Sequence, residues 1–176
     1  MKKVILMRNN WMSVTLAMLF VSVLAVPLAA AQASQATEFS WSAELVTLDE
    51  PGRTVTVKAR VVGDQTQKEM AAFKAGEKIA LGWSGYDKYA DAVNKAVRAS
   101  ASKGDERFSF PAEFVSYDSG RQYVTFKVQI PADGAAKLKG LKPGDWVTAT
   151  SPHGKESTTR PITAIRPSVS SAPTSN

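Results

Sequence analysis

An internal duplication constrains the fold of this chain more than any other feature. Residues 39–62 align with residues 108–131 at an offset of 69, which places FSWSAELVTLDEPGRTVTVKARVV over FSFPAEFVSYDSGRQYVTFKVQIP. The phrases FKAGEKIALGW and LKPGDWVTATS then align at an offset of 68, which matches Gly76 with Gly144. A match in this order indicates one supersecondary unit that the chain contains twice.

Each copy has the pattern of a β-hairpin followed by a short helix and a third strand. Apolar and polar residues alternate over 39–45 and 124–130, with the period of two that is typical of half-buried strands. The turn sequences DEPG and DSG join the two strands of each hairpin. KEMAAF and AAKLKGL predict short helices. Gly76 and Gly144 then permit a positive φ, so the chain can turn into a third strand.

The copies differ after the third strand. SGYDKYADAVNKAVRAS begins with a capping-box pattern at Ser84 and Asp87 and places Val93 and Ala96 on one helical face. This stretch predicts an α-helix near 85–101. The second copy has the polar loop SPHGKESTTR instead, followed by a strand around 162–166.

The predicted fold class is therefore mainly β, with tandem, internally duplicated small antiparallel β-barrel repeats and one inserted α-helix. The repeats span 35–104 and 105–167, and the Ser/Pro-rich tail 168–176 is expected to be disordered. Each half has only about 65 residues, which is marginal for independent folding. One pseudo-symmetric barrel assembled from both halves is the alternative, and the sequence does not separate the two.

The N-terminus, residues 1–33, has the organisation of a secretory signal peptide. A basic segment, MKKVILMRNN, precedes an uncharged run from Trp11 to Val26 and small residues at Ala31 and Ala33. We expect cleavage after Ala33 or Ala31, with a retained membrane anchor as the alternative. The expected location is periplasmic or secreted, with no stable membrane span after cleavage.

The absence of cysteine and the distribution of charge argue against several classes of function. The chain of 176 residues has no cysteine, which removes disulfides and thiolate chemistry. Loss of the predicted signal would remove three cations and no acidic residue, lowering the formal charge from +6 to +3. The remaining charges are interspersed, so nucleic acid is an unlikely partner class.

The hairpin, helix and LKGLKPGDWV strand, together with VTFKV, resemble the small OB-like barrels of exported bacterial proteins, including the periplasmic copper-chaperone family. The resemblance covers about 60 residues per copy and implies a barrel, but no single function. The copper ligands of that family have no counterpart here, because Met70 and His153 are the only soft donors after the signal. We expect a core Met70 and a solvated His153, with no metal site and no cofactor.

Catalytic patterns are weak. Ser84 lies in GWSGYD, which has its second glycine one place too early for a nucleophile elbow, and Ser100-x-x-Lys103 lacks its companion motifs. We expect Ser84 to cap the predicted helix and Ser100 to lie on the surface. The chain is therefore predicted not to be an enzyme, with no catalytic residues.

A binding face on the second hairpin is the candidate site. Beyond the inward-facing phenylalanines, Tyr117, Tyr123 and Lys127 are predicted to share the opposite face, with Arg121 in the turn and Lys58 as the first copy's equivalent of Lys127. Tyrosines beside cations can stack on a sugar and pair with an anion. The structural alternative, without a ligand, is a cross-strand tyrosine pair that stabilises the hairpin.

These observations favour a non-enzymatic exported module that binds or scaffolds another component of the cell envelope, with an envelope protein as a possible partner. The first alternative is a carrier of a small anionic or saccharide ligand on the Tyr/Lys barrel face. The second is an accessory protein in metal homeostasis.

Overall fold

The computed structural model describes residues 38–84, 92–103 and 106–168. The predicted signal and the tail from residue 169 lie outside these residues. The strands within them are β1 (Glu38–Asp49), β2 (Thr54–Val61), β3 (Lys78–Ser84), β4 (Ala92–Arg98), β5 (Ser109–Asp118), β6 (Tyr123–Gln129), β7 (Trp146–Pro152) and β8 (Ala164–Pro167). The α-helices are α1 (Asp64–Ala72), α2 (Gly134–Leu138) and α3 (Glu156–Thr159).

All eight described strands belong to one sheet, in the order β4-β3-β5-β6-β2-β1-β7-β8 with antiparallel neighbours. A short parallel pairing joins Arg60 and Val61 of β2 to Ala92 and Val93 of β4. This pairing closes β2, β4, β3, β5 and β6 into a five-stranded barrel, and β1, β7 and β8 extend it. The predicted mainly β class and barrel are therefore confirmed.

The predicted tandem barrels are not found, because the two repeats share their strands. The third strand of each repeat pairs with the first strand of the other: Lys78 of β3 lies opposite Glu113 of β5, and Trp146 of β7 lies opposite Glu44 of β1. The second strands, β2 and β6, pair with each other along their length. This arrangement corresponds to the alternative of one pseudo-symmetric assembly. Each hairpin has an edge that its own third strand leaves unpaired, and the other repeat fills it.

The helix predicted near 85–101 is also wrong over its described part. Residues 92–98 form strand β4, a 3-10 turn follows at Ala99–Ala101, and residues 85–91 lie outside the described chain. The register between β3 and β4 shifts between Gly82 and Trp83, which leaves one extra residue in β4. This bulge places both Val93 and Ala96 in the core. A strand with a bulge thus reproduces the i, i+3 apolar spacing that indicated a helix.

The local predictions of hairpins, short helices and glycine turns are confirmed. The two hairpins, β1–β2 and β5–β6, contain register shifts at equivalent places, after Leu45 and after Phe114. Gly76 and Gly144 have φ of +85° and +96°, respectively. The backbone N–H of each glycine donates to the first strand of the opposite repeat, at Phe114 and Leu45. The repeated phrase is therefore the turn that fastens each third strand to its partner.

One hydrophobic core lies beneath the sheet and contains side chains from both repeats. Its centre is aromatic: Trp41 and Phe110 contact each other, both contact Trp83 and Phe126, and all four are at most 3% exposed. Met70 of α1 is fully buried in the same cluster, as predicted. The two repeats therefore share one core.

Candidate functional site

The candidate site lies on the outer face of β3, β5 and β6. Lys78, Glu113 and Lys127 lie opposite one another on adjacent strands. Their neighbours along the strands, including Ala112 and Phe126, are buried. The alternation of each strand therefore directs the three charged side chains to the same outer surface.

The two lysines share the carboxylate of Glu113. Lys78 Nζ lies 2.6 Å from Glu113 Oε2, and Lys127 Nζ lies 3.1 Å from Glu113 Oε1. The hydrogen bonds from Lys78 and then Lys127 hold the pKa of Glu113 below its ordinary value, against an opposing effect of burial. Two ammonium groups against one carboxylate leave a net positive charge. Each ammonium also has further N–H donors that it can direct to a ligand.

A groove of about 380 Å³ adjoins these charges. Lys78, Glu113 and Lys127 line it, together with Thr158, Thr159 and Pro161 from the segment around α3. Thr54 and Gln129 add further polar side chains. The groove therefore combines ammonium, hydroxyl and amide groups in a space that can hold a small molecule.

Tyr117 and Tyr123 do not share a face, contrary to the prediction. The register shift between Phe114 and Ser116 reverses the alternation of β5, so Tyr117 lies opposite the buried Val124 and packs against the core. Burial, followed by the charge of Asp118, raises the pKa of Tyr117. Tyr123 lies opposite Asp118, on the outer side of the hairpin. A β-bulge of this kind is not visible in an alternating pattern.

The other predicted residues are divided between separate places. Lys58 forms an ion pair with Glu44, 2.7 Å away, and its Nζ lies 5.5 Å from the centre of the Tyr123 ring. Arg121 lies in the hairpin turn with 83% of its side chain exposed, and its Nε is 3.9 Å from Asp118 Oδ2. The structure thus brings Lys58 and Tyr123 together and places Lys127 in the groove, whereas Tyr117 packs against the core and Arg121 contacts Asp118 in the turn.

His153 is not the solvated loop residue that the sequence predicted. Its ring stacks on Phe39 at 5.1 Å and meets the edge of Phe108 at 4.8 Å. Its Nδ1 accepts a hydrogen bond from the backbone N–H of Phe108 at 3.3 Å. Burial, followed by the charge of Arg107, lowers the pKa of His153. The imidazole therefore acts as a packing group and acceptor that joins β7 to the start of β5.

The remaining sequence candidates do not assemble into a reactive group. Ser84 ends β3, and its hydroxyl donates to the carbonyl of Ala92 at 3.5 Å; the start of the helix that it was predicted to cap lies outside the described residues. Ser100 is exposed, as predicted. Within residues 38–84, 92–103 and 106–168, no group of three or more histidines and acidic residues could hold a metal ion.

Lys78 and Glu113 were missed because sequence reasoning followed single hairpins. The duplication contained a partial signal, since the pairs Glu44–Lys58 and Glu113–Lys127 occupy equivalent positions in the two copies. The structure shows an ion pair in each. The copies differ at the third strand, where Lys78 lies beside Glu113 but Trp146 lies beside Glu44. Only the second ion pair is therefore joined by another cation.

Across the described part of the chain, no helix has the length and apolar character needed to cross a membrane. No family model and no curated protein matches the sequence. Among solved structures, a siderophore utilization protein from T. fusca is similar with 14% identity and a TM-score of 0.23, over 67% of this chain and 46% of that protein. The aligned region is less than half of that protein, and a TM-score of 0.23 does not indicate a shared fold.

Proposed function

We propose that this protein is a non-enzymatic exported binding module whose ligand is a small anion held in the groove beside Lys78, Glu113 and Lys127. The observation that carries the proposal is the pairing of two lysines with one glutamate at the side of an open groove. The export step rests on the basic, apolar and small-residue order of residues 1–33.

The charges favour an anion over a neutral ligand. Lys78 and Lys127 retain 70% and 40% exposure of their side chains while they contact Glu113, so an incoming anion can reach both without breaking the existing pairs. Hydrogen bonds between ionised groups are stronger than those between neutral groups. The nearby hydroxyls and the Gln129 amide supply further donors for the oxygens of such a ligand.

The non-enzymatic part of the proposal is supported by the arrangement of the reactive residues that are described. His153 stacks on Phe39 and meets the edge of Phe108, and its Nδ1 accepts a hydrogen bond from the Phe108 backbone N–H; Ser84 and Ser100 lie on other elements. Nucleophilic catalysis by serine needs a base within hydrogen-bond reach of the hydroxyl. The groove itself presents lysine, glutamate, threonine and glutamine, which recognise oxygen-rich ligands.

A matched pair of lysine variants tests this function. Butanoate is titrated into the purified protein, and amide chemical shifts are followed by NMR. We expect perturbations at β3, β5 and β6, and a roughly tenfold loss of affinity in Lys127→Met. Lys58→Met is the control, because Lys58 is the repeat-equivalent of Lys127 in a similar ion pair outside the groove lining.

Equal loss of affinity in Lys127→Met and Lys58→Met would place the ligand elsewhere. Absence of any shift at the groove would contradict anion binding. In that case, pull-down from an envelope extract tests the other form of a binding module, which scaffolds an envelope protein.

A further inference from the structure

A second cavity lies beside the charged groove. It has a volume of about 200 Å³ and a mostly apolar lining that includes Ala80, Ala99, Phe110 and Pro111. An engineered apolar cavity of about 150 Å³ binds benzene, so this space is large enough for one ring or a short chain. We call it the apolar pocket.

The apolar pocket and the charged groove share part of their walls. Pro111 and Thr158 line both cavities. The pairing of β3 with β5 explains the adjacency: Ala80 lies opposite Pro111, and Lys78 lies opposite Glu113, two residues further along each strand. Residues two apart on one strand face the same side and are separated by about 7 Å. The backbone positions of Ala80 and Pro111 at the pocket therefore lie about 7 Å from those of Lys78 and Glu113 at the groove.

The charges near the apolar pocket do not oppose an anion in the groove. Glu106 lies at the pocket, but Lys95 pairs with it at 2.8 Å. The Ser157 hydroxyl at the pocket donates to the carbonyl of Gly154 at 2.7 Å. The pocket thus offers mainly apolar contact, and the recognition of charge falls to Lys78 and Lys127.

We infer that the two cavities form one amphiphilic site, and that its ligand is a carboxylate bearing an apolar ring. The carboxylate contacts Lys78 and Lys127, and the apolar group fills the pocket between the outer face of β3–β5 and α3. This inference rests on the proposed function and names the class of ligand for it. Burial of the apolar group adds affinity that a bare carboxylate does not have.

The test uses three probes that separate the two parts of the site. 4-Phenylbutanoate has both groups, butanoate lacks the ring, and 4-phenylbutan-1-ol lacks the charge. Calorimetric and NMR titrations of the wild-type protein are expected to show 4-phenylbutanoate binding about tenfold or more tightly than either of the others. This comparison requires no variant, so it does not depend on the folding of a mutant.

Pocket-filling variants locate the ring. Ala80→Leu and Ala99→Leu are expected to reduce the affinity for 4-phenylbutanoate to that for butanoate, with butanoate unaffected. Ala101→Leu is the matched control, because Ala101 lies in the same 3-10 turn as Ala99 but outside the pocket lining. Melting temperatures identify any variant that is destabilised.

The outcomes distinguish this inference from the function on which it rests. Equal affinities for butanoate and 4-phenylbutanoate, with shifts at Lys127, would overturn the amphiphilic site and leave anion binding intact. Equal affinities for 4-phenylbutanoate and its alcohol would overturn the role of the lysines. Failure of all three probes to bind would overturn both proposals.

Discussion

Trp41 and Phe110 occupy equivalent positions in the two sequence repeats, and their rings stack in the core with centroids 4.6 Å apart and planes inclined by 4°. The duplication has thus placed the two copies of one aromatic position in contact with each other. Trp83 and Phe126 surround this pair. The stack therefore joins the two repeats at the centre of the core, and removal of either ring would leave a cavity there.

Truncation of this stack is expected to cost much more stability than truncation of a peripheral aromatic. Phe110→Ala should lower the free energy of unfolding by about 3–5 kcal/mol, because it leaves a cavity against Trp41. Phe73→Ala is the comparison, since Phe73 is only half-buried and packs at the edge of Phe114. Urea denaturation measures both, and equal losses would contradict the central role of the stack.

The buried Ser151 hydroxyl is expected to stabilise the fold, because it accepts the hydrogen bond of the Trp41 indole N–H. Trp41 Nε1 donates to Ser151 Oγ at 2.8 Å, and Ser151 Oγ donates to the carbonyl of Pro161 at 2.6 Å. Ser151→Ala should reduce the free energy of unfolding by about 1–3 kcal/mol, because the indole N–H loses its acceptor. Ser42→Ala, on the outer side of β1, removes a part-buried hydrogen bond to Thr148 and should cost less, about 0.5 kcal/mol, because both hydroxyls can reach water. Similar values for the two variants would argue against the buried chain of hydrogen bonds.

At Gly76 and Gly144 we expect the positive φ, rather than a lack of space, to make substitution unfavourable. An added Cβ at Gly76 or Gly144 would meet no atom within 4 Å, and both residues have positive φ. Gly144→Ala should therefore cost roughly 1–2 kcal/mol from backbone strain alone, and Gly144→Asn should cost less because asparagine tolerates this region better. Thermal unfolding provides the measurement. Gly120→Ala, at a turn glycine that does not have positive φ, is the control.

Acidification should weaken the fold through His153. The pKa of His153 in the folded protein lies below its ordinary value of 6.5, so the unfolded chain binds the proton more readily. Stability is therefore complete above about pH 6.5 and falls as the pH drops through that value, when protonated Nδ1 no longer accepts from Phe108. Denaturation between pH 7.5 and 5.5 measures the effect.

The matched variant for this pH dependence is His153→Gln, which retains a polar side chain without the titration. It should remove the slope of the unfolding free energy in this range. Glu77, Glu113 and Asp133 have lowered pKa values, so their stabilisation is complete throughout this range and is lost only as the pH falls below their ordinary values of 4.5, 4.5 and 3.8. An unchanged slope in His153→Gln would assign the effect to another group.

Local structure followed from local patterns in this chain. Alternation from Phe39 to Leu45 and from Val124 to Val128 predicted strands correctly, because burial on one face imposes a period of two. The glycines of the two turns were recognised from their place before the third strand. Met70 was correctly assigned to the core. Each of these properties depends on residues close in sequence.

The predictions that failed depend on long-range pairing or on bulges. No local pattern indicates that β3 pairs with β5, because the paired residues lie 27 to 35 positions apart in the sequence. The bulge in β4 gave Val93 and Ala96 a helical spacing, and the bulge in β5 turned Tyr117 toward the core. The charged groove was missed for the same reason, since Lys78 and Lys127 meet only after the repeats have paired.

The pairing of each third strand with the opposite hairpin also bears on how the two copies are inherited. A deletion or recombination that removes one copy would leave the hairpin of the other copy without the strand that pairs with its edge. The unpaired backbone N–H and C=O groups of that edge would promote aggregation. The copies have diverged in sequence, at Lys78 and Trp146 for example, yet each depends on the other to complete its sheet. We therefore expect the two copies to be retained or lost together.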